Sequence, residues 1–198
     1  EDLKKYGLEK EINNTLRRLG TVPPDLGYLD GEDLNAYNFA ANVCQYFADY
    51  NRWNIAMTII HGLQLSFVDF FTTMHNYFDI HSGIIRKGAV RAEKDEQLII
   101  PLNMRDGSLI CLGKGNEDWL QSAPHGAGRL MSRNRAKETL NMEEYRQQMH
   151  DIYSTSVCES TIDESPMAYK PAEEIESLIA DTVDVVKRIK PIYNFKAK

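Results

Sequence analysis

The sequence has no long apolar run. None of its hydrophobic stretches approaches the roughly 20 residues that cross a bilayer, so a membrane-spanning helix is not expected. It has no excess of positive charge. The formal net charge is −6, so contact with nucleic acid would need a local basic patch rather than a global field. Cysteine is scarce: Cys44, Cys111 and Cys158 stand far apart, with no CxxC pair to hold a metal or a redox disulfide. An odd number of scattered cysteines fits reduced thiols in a cytoplasmic protein. No signal-peptide pattern opens the chain. It begins at Glu1 rather than Met, which fits a processed product or a piece of a longer protein. No internal repeat or low-complexity linker is visible.

What is present suffices for one compact domain: 198 residues, 42% of them hydrophobic. Residues 2–19 read as a helix, with Leu8, Ile12, Leu16 and Leu19 near a 3.6-residue period and Gly20 as its stop. A loop with Pro23, Pro24, Gly27 and Gly31 follows. A second helix is expected after Asp33, with Tyr37, Ala40, Ala41, Cys44, Phe47 and Ala48 as its apolar stripe, and a third from Trp53 to Leu65. Short runs at Ile84-Ile85, Leu98–Ile100 and Leu109–Leu112 read as strands, with a turn at Asp106-Gly107. Helical texture returns from Arg133 to Tyr153. A last helix is expected over Pro171–Ile189, burying Ile175, Leu178, Ile179, Val183, Val186 and Ile189. The fold class is α+β: a mixed sheet with flanking helices.

The stretch richest in chemistry is Pro124-His125-Gly126-Ala127-Gly128-Arg129, with Arg133 four residues further on. Small residues after His125 let a bulky ligand approach the backbone. The amides of such a turn suit phosphate oxygens, and arginine offers a planar fork of donors. A histidine there is a candidate nucleophile toward phosphorus. An imidazole attacks only when neutral, the state an ordinary histidine mostly holds near pH 7. From the local sequence alone, a histidine in a glycine-rich surface turn is the better fit. His75 is a candidate metal ligand or a structural histidine. His61 and His150 lie in helical texture and read as structural. Arg86, Lys87, Arg91, Arg129, Arg133, Arg135 and Lys137 form a local basic set; most read as a solvated face, with Arg129 placed to reach a phosphate. Lys114 in Gly-Lys-Gly-Asn lacks the neighbours of a phosphate-loop lysine.

Seven stretches stand in a particular order: Met74-His75-Asn76-Tyr77, Arg86-Lys87-Gly88-Ala89, Ile100-Pro101 through Gly107-Ser108, Gly113-Lys114-Gly115-Asn116, His125 through Arg133, Asp163 through Lys170, and Lys190-Pro191 before Lys196. In this order they closely resemble the RtcB family of RNA ligases. The resemblance runs from about Asp30 to the C-terminus and implies the C-terminal portion of a larger single domain, about half of a full-length member. It implies an enzyme that joins a 3′-phosphate (or 2′,3′-cyclic phosphate) RNA end to a 5′-hydroxyl end, with GTP and Mn²⁺ as cofactors and RNA as partner; the oligomeric state is left open. His125 would become guanylylated, and His75 would bind manganese with Asn76 beside the nucleotide. Pro101, Leu102, Asn103, Met104, Ser108, Gly126, Ala127, Gly128, Tyr169 and Lys196 would surround the nucleotide, with Arg129 toward RNA or phosphate. His81 follows the His75 motif at too short a spacing to be given a role.

Two departures accompany the resemblance. The family pattern Pro-Gly-Ser-Met-Gly reads Pro101-Leu102-Asn103-Met104-Arg105 here, though Ser108 keeps its place. That loop is either drifted, and poor at binding nucleotide, or reshaped, with Arg105 as an added phosphate contact. The family's other metal ligands belong to the half not represented, so the chain alone is expected to be inactive and short of metal. The alternatives to an enzyme are a non-catalytic nucleotide- or RNA-binding domain and a structural fragment.

Overall fold

Strand pairing and helix capping set the architecture of the computed structural model, which describes residues 27–196. The helix expected over residues 2–19 lies outside the described residues. The chain divides into two compact units, 1–55 and 56–198.

The first described element is α1 (Gly31–Gly62), with Glu32 and Asp33 in its first turn. Two helices were expected here. One forms because no Gly or Pro interrupts the chain between Gly31 and Gly62. None of its residues is buried. Cys44 is exposed, as is Phe47, so the expected apolar stripe is not an inner face. His61, in the last turn of this helix, is also exposed.

In the second unit, β1 (His75–Asp79), β2 (Ile84–Arg91) and β5 (Ser122–Pro124) form an antiparallel sheet in the order β1-β2-β5. A second antiparallel sheet orders β3 (Gln97–Pro101), β4 (Ser108–Gly113) and β7 (Val183–Ile189) as β3-β4-β7. The three expected strand runs are all strands. Among the described residues the single mixed sheet is instead two, plus a parallel pair made by β6 (Tyr153–Ser154) and β8 (Tyr193–Asn194). In β3 and β4 alternate residues are buried, as one-sided strands require: Leu98, Ile100, Leu109 and Cys111 face inward. Ile175 and Ile179 share that core with Val90 and Val183.

The Arg133–Tyr153 region breaks into α2 (Arg133–Thr139) and α3 (Met142–Gln148). Ser132 caps α2 by accepting from the Arg135 N–H, and Asn141 caps α3 by accepting from the Glu143 N–H at 2.7 Å. Tyr145 of α3 is fully buried and donates to Met104 Sδ at 3.1 Å. His150, just beyond, is exposed and beside Asp151.

The last expected helix is corrected. Helix α4 (Ala172–Leu178) ends after two turns, and a turn over 179–182 leads into strand β7. Thr182, Val183, Val185 and Val186 are β-branched, and the edge of β4 offers them a ladder from Ser108↔Ile189 to Gly113↔Val183. Leu178 and Val186 are exposed rather than buried. Arg86 is corrected as well: it is 3% exposed, donates to Ser122 Oγ at 2.9 Å and pairs with Asp79 at 3.5 Å. Burial pushes the Cys111 thiol up to about 11. No helix among the described residues is long and apolar enough to cross a membrane.

Candidate active site

Strand β5 ends at Pro124, which delivers His125 to the end of the first sheet, opposite the Gly88 turn of β2. His125 Nδ1 lies 2.8 Å from the Gly88 carbonyl oxygen, and the His125 N–H donates to that same oxygen at 3.3 Å. A carbonyl only accepts, so Nδ1 carries the proton and the lone pair is on Nε2. Gly88 has φ +70°. Its N–H donates to Asn76 Oδ1 at 2.6 Å. Asn76 itself stands at φ 56°, a left-handed conformation that asparagine tolerates better than most residues. His75, beside it on β1, stacks on His125 with ring centroids 5.1 Å apart and planes 14° from parallel.

His75 and His125 border a cavity of about 800 Å³. The size suits a nucleotide-scale ligand. His75, Pro101, Leu102, Asn103, Met104, Ser108, His125, Gly126, Ala127, Gly128, Arg129, Tyr169 and Lys196 all line it. Of the residues singled out in the sequence, Asn76 is not in the lining and acts through Gly88. Not every turn amide is available to a ligand: the Ala127 N–H donates to the Pro101 carbonyl at 3.0 Å, and that of His125 to Gly88.

In the same lining, a carboxylate gathers the polar wall. Tyr169 donates to Glu164 Oε2 at 2.8 Å, and Lys196 Nζ lies 3.2 Å from the same oxygen. Arg133 pairs with Glu164 and with Asp163, the latter at 2.6 Å. Burial pushes the Glu164 carboxyl up, but Tyr169, Arg133 and Lys196 outweigh it and hold the group below its ordinary value. Burial, then Glu164, pushes the Tyr169 hydroxyl up. Arg129 sits over the Tyr169 ring at 5.0 Å and donates to Tyr169 Oη, Met131 O and Asp163 O. Its fork is therefore largely engaged with the protein. Lys196 is anchored through its backbone, whose N–H donates to Ser156 Oγ at 2.9 Å.

The altered loop is built rather than slack. Leu102 is 3% exposed within the main core. Asn103 Oδ1 accepts from the N–H groups of Arg105 and Asp106 at 3.0 and 2.9 Å. Arg105 pairs with Asp106 at 2.9 Å and also donates to Gln148. Its expected phosphate contact is replaced by these partners, and it does not line the cavity.

Sequence reasoning missed Glu164, Asn194 and Lys190 as lining residues, and it read Arg133 as solvated. Glu164 was visible within the Asp163–Lys170 stretch. Only the fold shows that Arg129, Arg133, Tyr169 and Lys196 converge on it.

An α+β fold thus frames a cleft lined by two stacked histidines. Comparison with known proteins defines the class: the family described as tRNA-splicing ligase RtcB matches residues 10–197, and the chain belongs to it. The RNA-splicing ligase RtcB of Escherichia coli K12 is 32% identical over 203 residues, covering 93% of this chain and 49% of the relative. RtcB1 from another Escherichia coli strain gives the same figures. The tRNA-splicing ligase RtcB of Aeropyrum pernix is 29% identical over 227 residues, covering 91% of this chain and 46% of its own length. The chain spans about half the length of these curated relatives.

Proposed function

We propose that the parent protein is a cytoplasmic RNA ligase that joins an RNA 3′-phosphate or 2′,3′-cyclic phosphate end to a 5′-hydroxyl end, using GTP and Mn²⁺. The observation that carries this reading is the Nδ1 hydrogen bond of His125 to Gly88, which leaves Nε2 as the nucleophile beside a nucleotide-sized cavity.

In the first step Nε2 forms a bond to the α-phosphorus of GTP, the α–β phosphoanhydride bond breaks, and pyrophosphate leaves. An oxygen of the RNA 3′-phosphate, which a cyclic end yields once water adds and its bond to the 2′-oxygen breaks, then attacks that phosphorus and breaks the P–N bond, so the guanylyl group passes to RNA. The 5′-hydroxyl loses its proton, attacks the activated RNA phosphate, and GMP leaves. Splitting the reaction this way replaces one difficult displacement by easier ones. On this reading Tyr169 and Lys196, held by Glu164, form the wall that meets the guanine base.

His75 stands beside His125, where a metal ligand would be useful to a transferring phosphate. Among the described residues no three His, Cys, Asp or Glu side chains gather as a metal site. One imidazole falls short of the three or four protein ligands a divalent ion commonly takes. The remaining ligands belong, on this reading, to the half of the relatives that the chain does not span.

The test is covalent labelling of the full-length protein by GTP carrying a labelled α-phosphate. His125→Ala is expected to abolish the adduct. An adduct of wild-type yield on that variant would overturn the assignment.

A further inference from the structure

The C-terminal tract carries charge and aromatic surface that the proposed chemistry does not use. From Val185 onward the sequence holds Lys187, Arg188, Lys190, Lys196 and Lys198 and no Asp or Glu, within a chain of net charge −6. Arg188 and Lys196 are paired with carboxylates, at 3.5 Å to Glu176 and 3.2 Å to Glu164; Lys187 and Lys190 add to the cationic surface. Alternation along this segment divides its faces. Asn194 and Lys196 line the cavity, whereas Tyr193 and Phe195 are exposed by 47% and 68%.

Strand β6 brings a second tyrosine to the same place. Tyr153 is 70% exposed and pairs in register with Tyr193. The two ring centroids are 5.6 Å apart, tilted by 34°. Ser154 Oγ donates to the Asn194 carbonyl at 2.6 Å, and Thr155 Oγ1 lies 3.0 Å from Tyr193 Oη. Backbone pairing and these bonds hold the rings in place, so little side-chain freedom is lost when a flat ligand lands on them.

We infer that Tyr153, Tyr193 and Phe195 form a platform on which bases of single-stranded RNA stack, beside the cavity where the RNA end reacts. Every base has a face that stacks on an aromatic ring, and lysines track the phosphates between bases. A protein partner would account for the aromatic rings. Lys187 and Lys190, exposed on a segment with no Asp or Glu of its own, favour a polyanion. The inference rests on the proposed reading of the cavity as an RNA-joining site, since that reading puts an RNA strand next to β8.

The test uses the full-length protein and a short single-stranded RNA ending in a 3′-phosphate. The double variant Tyr153→Ala/Tyr193→Ala is expected to bind this RNA roughly ten- to a hundredfold more weakly. Tyr193→Phe should stay within about twofold, because the stacking face survives. Formation of the nucleotide adduct should be unchanged in both, which separates the platform from the chemistry. Tyr193→Trp guards against misfolding of the double variant: its added fluorescence should be quenched by RNA. Unchanged RNA affinity of the double variant, or an added indole fluorescence in Tyr193→Trp that is indifferent to RNA, overturns the platform. Absence of any adduct on the wild-type protein, with RNA binding and quenching intact, would instead overturn the ligase reading and leave the platform standing.

Discussion

The imidazole of His125 is tied to the carbonyl of Gly88 at 2.8 Å, and the N–H of that same glycine is tied to Asn76 at 2.6 Å. One backbone unit thus fixes both the tautomer and the ring direction of the proposed nucleophile. A side chain at position 88 would find room: a Cβ there lies 3.7 Å from the His125 ring, an ordinary contact. The difficulty is the backbone, held at φ +70°.

Gly88→Ala is therefore expected to cost about 1–2 kcal/mol through left-handed strain rather than through a clash. Relaxation of that strain would turn the carbonyl away from Nδ1. Adduct formation from labelled GTP should slow by about tenfold or more, with a modest fall in melting temperature. Wild-type kinetics in the variant would show that the Gly88 carbonyl does not orient the nucleophile.

Legibility in the sequence followed locality. The His125 turn and the Pro101–Ser108 loop are contiguous, and each reaches the cavity as a unit. Strands β3 and β4 were visible because a run of β-branched and aliphatic residues ends at a turn. Strand β7 was misread: Ile175, Ile179, Val183 and Val186 match a helical period, and nothing local reveals that β4 has an open edge for pairing. The same blindness applies to Arg86 and Arg133. Whether an arginine is solvated, buried against Asp79 or drawn to Glu164 depends on residues about 7 to 31 positions away.

The loop that departs from the family pattern bears on stability. Leu102 is buried at 3% exposure, and Asn103 closes the turn through two backbone N–H groups. Leu102→Gly, which restores the family residue, is expected to cost about 3–5 kcal/mol through the lost core side chain and added chain entropy. Asn103→Ala should cost about 1 kcal/mol, as for other lost caps. Urea denaturation of the single variants reads both. A Leu102→Gly variant as stable as wild type would show that this loop is slack.

Gly107 is a sharper case. A Cβ at this position would lie 2.0 Å from the Ile189 carbonyl oxygen, and φ is +80°. Neither neighbour is the free end of a side chain, so Gly107→Ala must push β7 away from the start of β4. Ile189 and Lys190 line the cavity, so displacement there also deforms the proposed nucleotide site. A loss of about 3 kcal/mol or more is expected, with weaker GTP binding in proportion to the displacement. Calorimetric melting and a GTP titration check the two parts separately.

Acid should strike at Glu164. Its carboxyl is held below the ordinary 4.5 despite burial, because Tyr169, Arg133 and Lys196 favour the charged form. The unfolded chain therefore takes up a proton at Glu164 more readily than the folded chain does. By linkage, the stabilisation is fully present above the unfolded value and is lost as pH falls through the lower folded value. The affected window lies below pH 4.5 and not near neutrality. Glu164→Gln removes the titration, so its stability should fall less steeply with acid there than that of the wild type. At pH 7 the variant should be the less stable protein, since Arg133 and Lys196 lose their shared carboxylate. Denaturation curves for both proteins at neutral pH and at several acidic values measure the slope directly. Parallel slopes would mean that Glu164 is not the group whose ionisation holds this wall together.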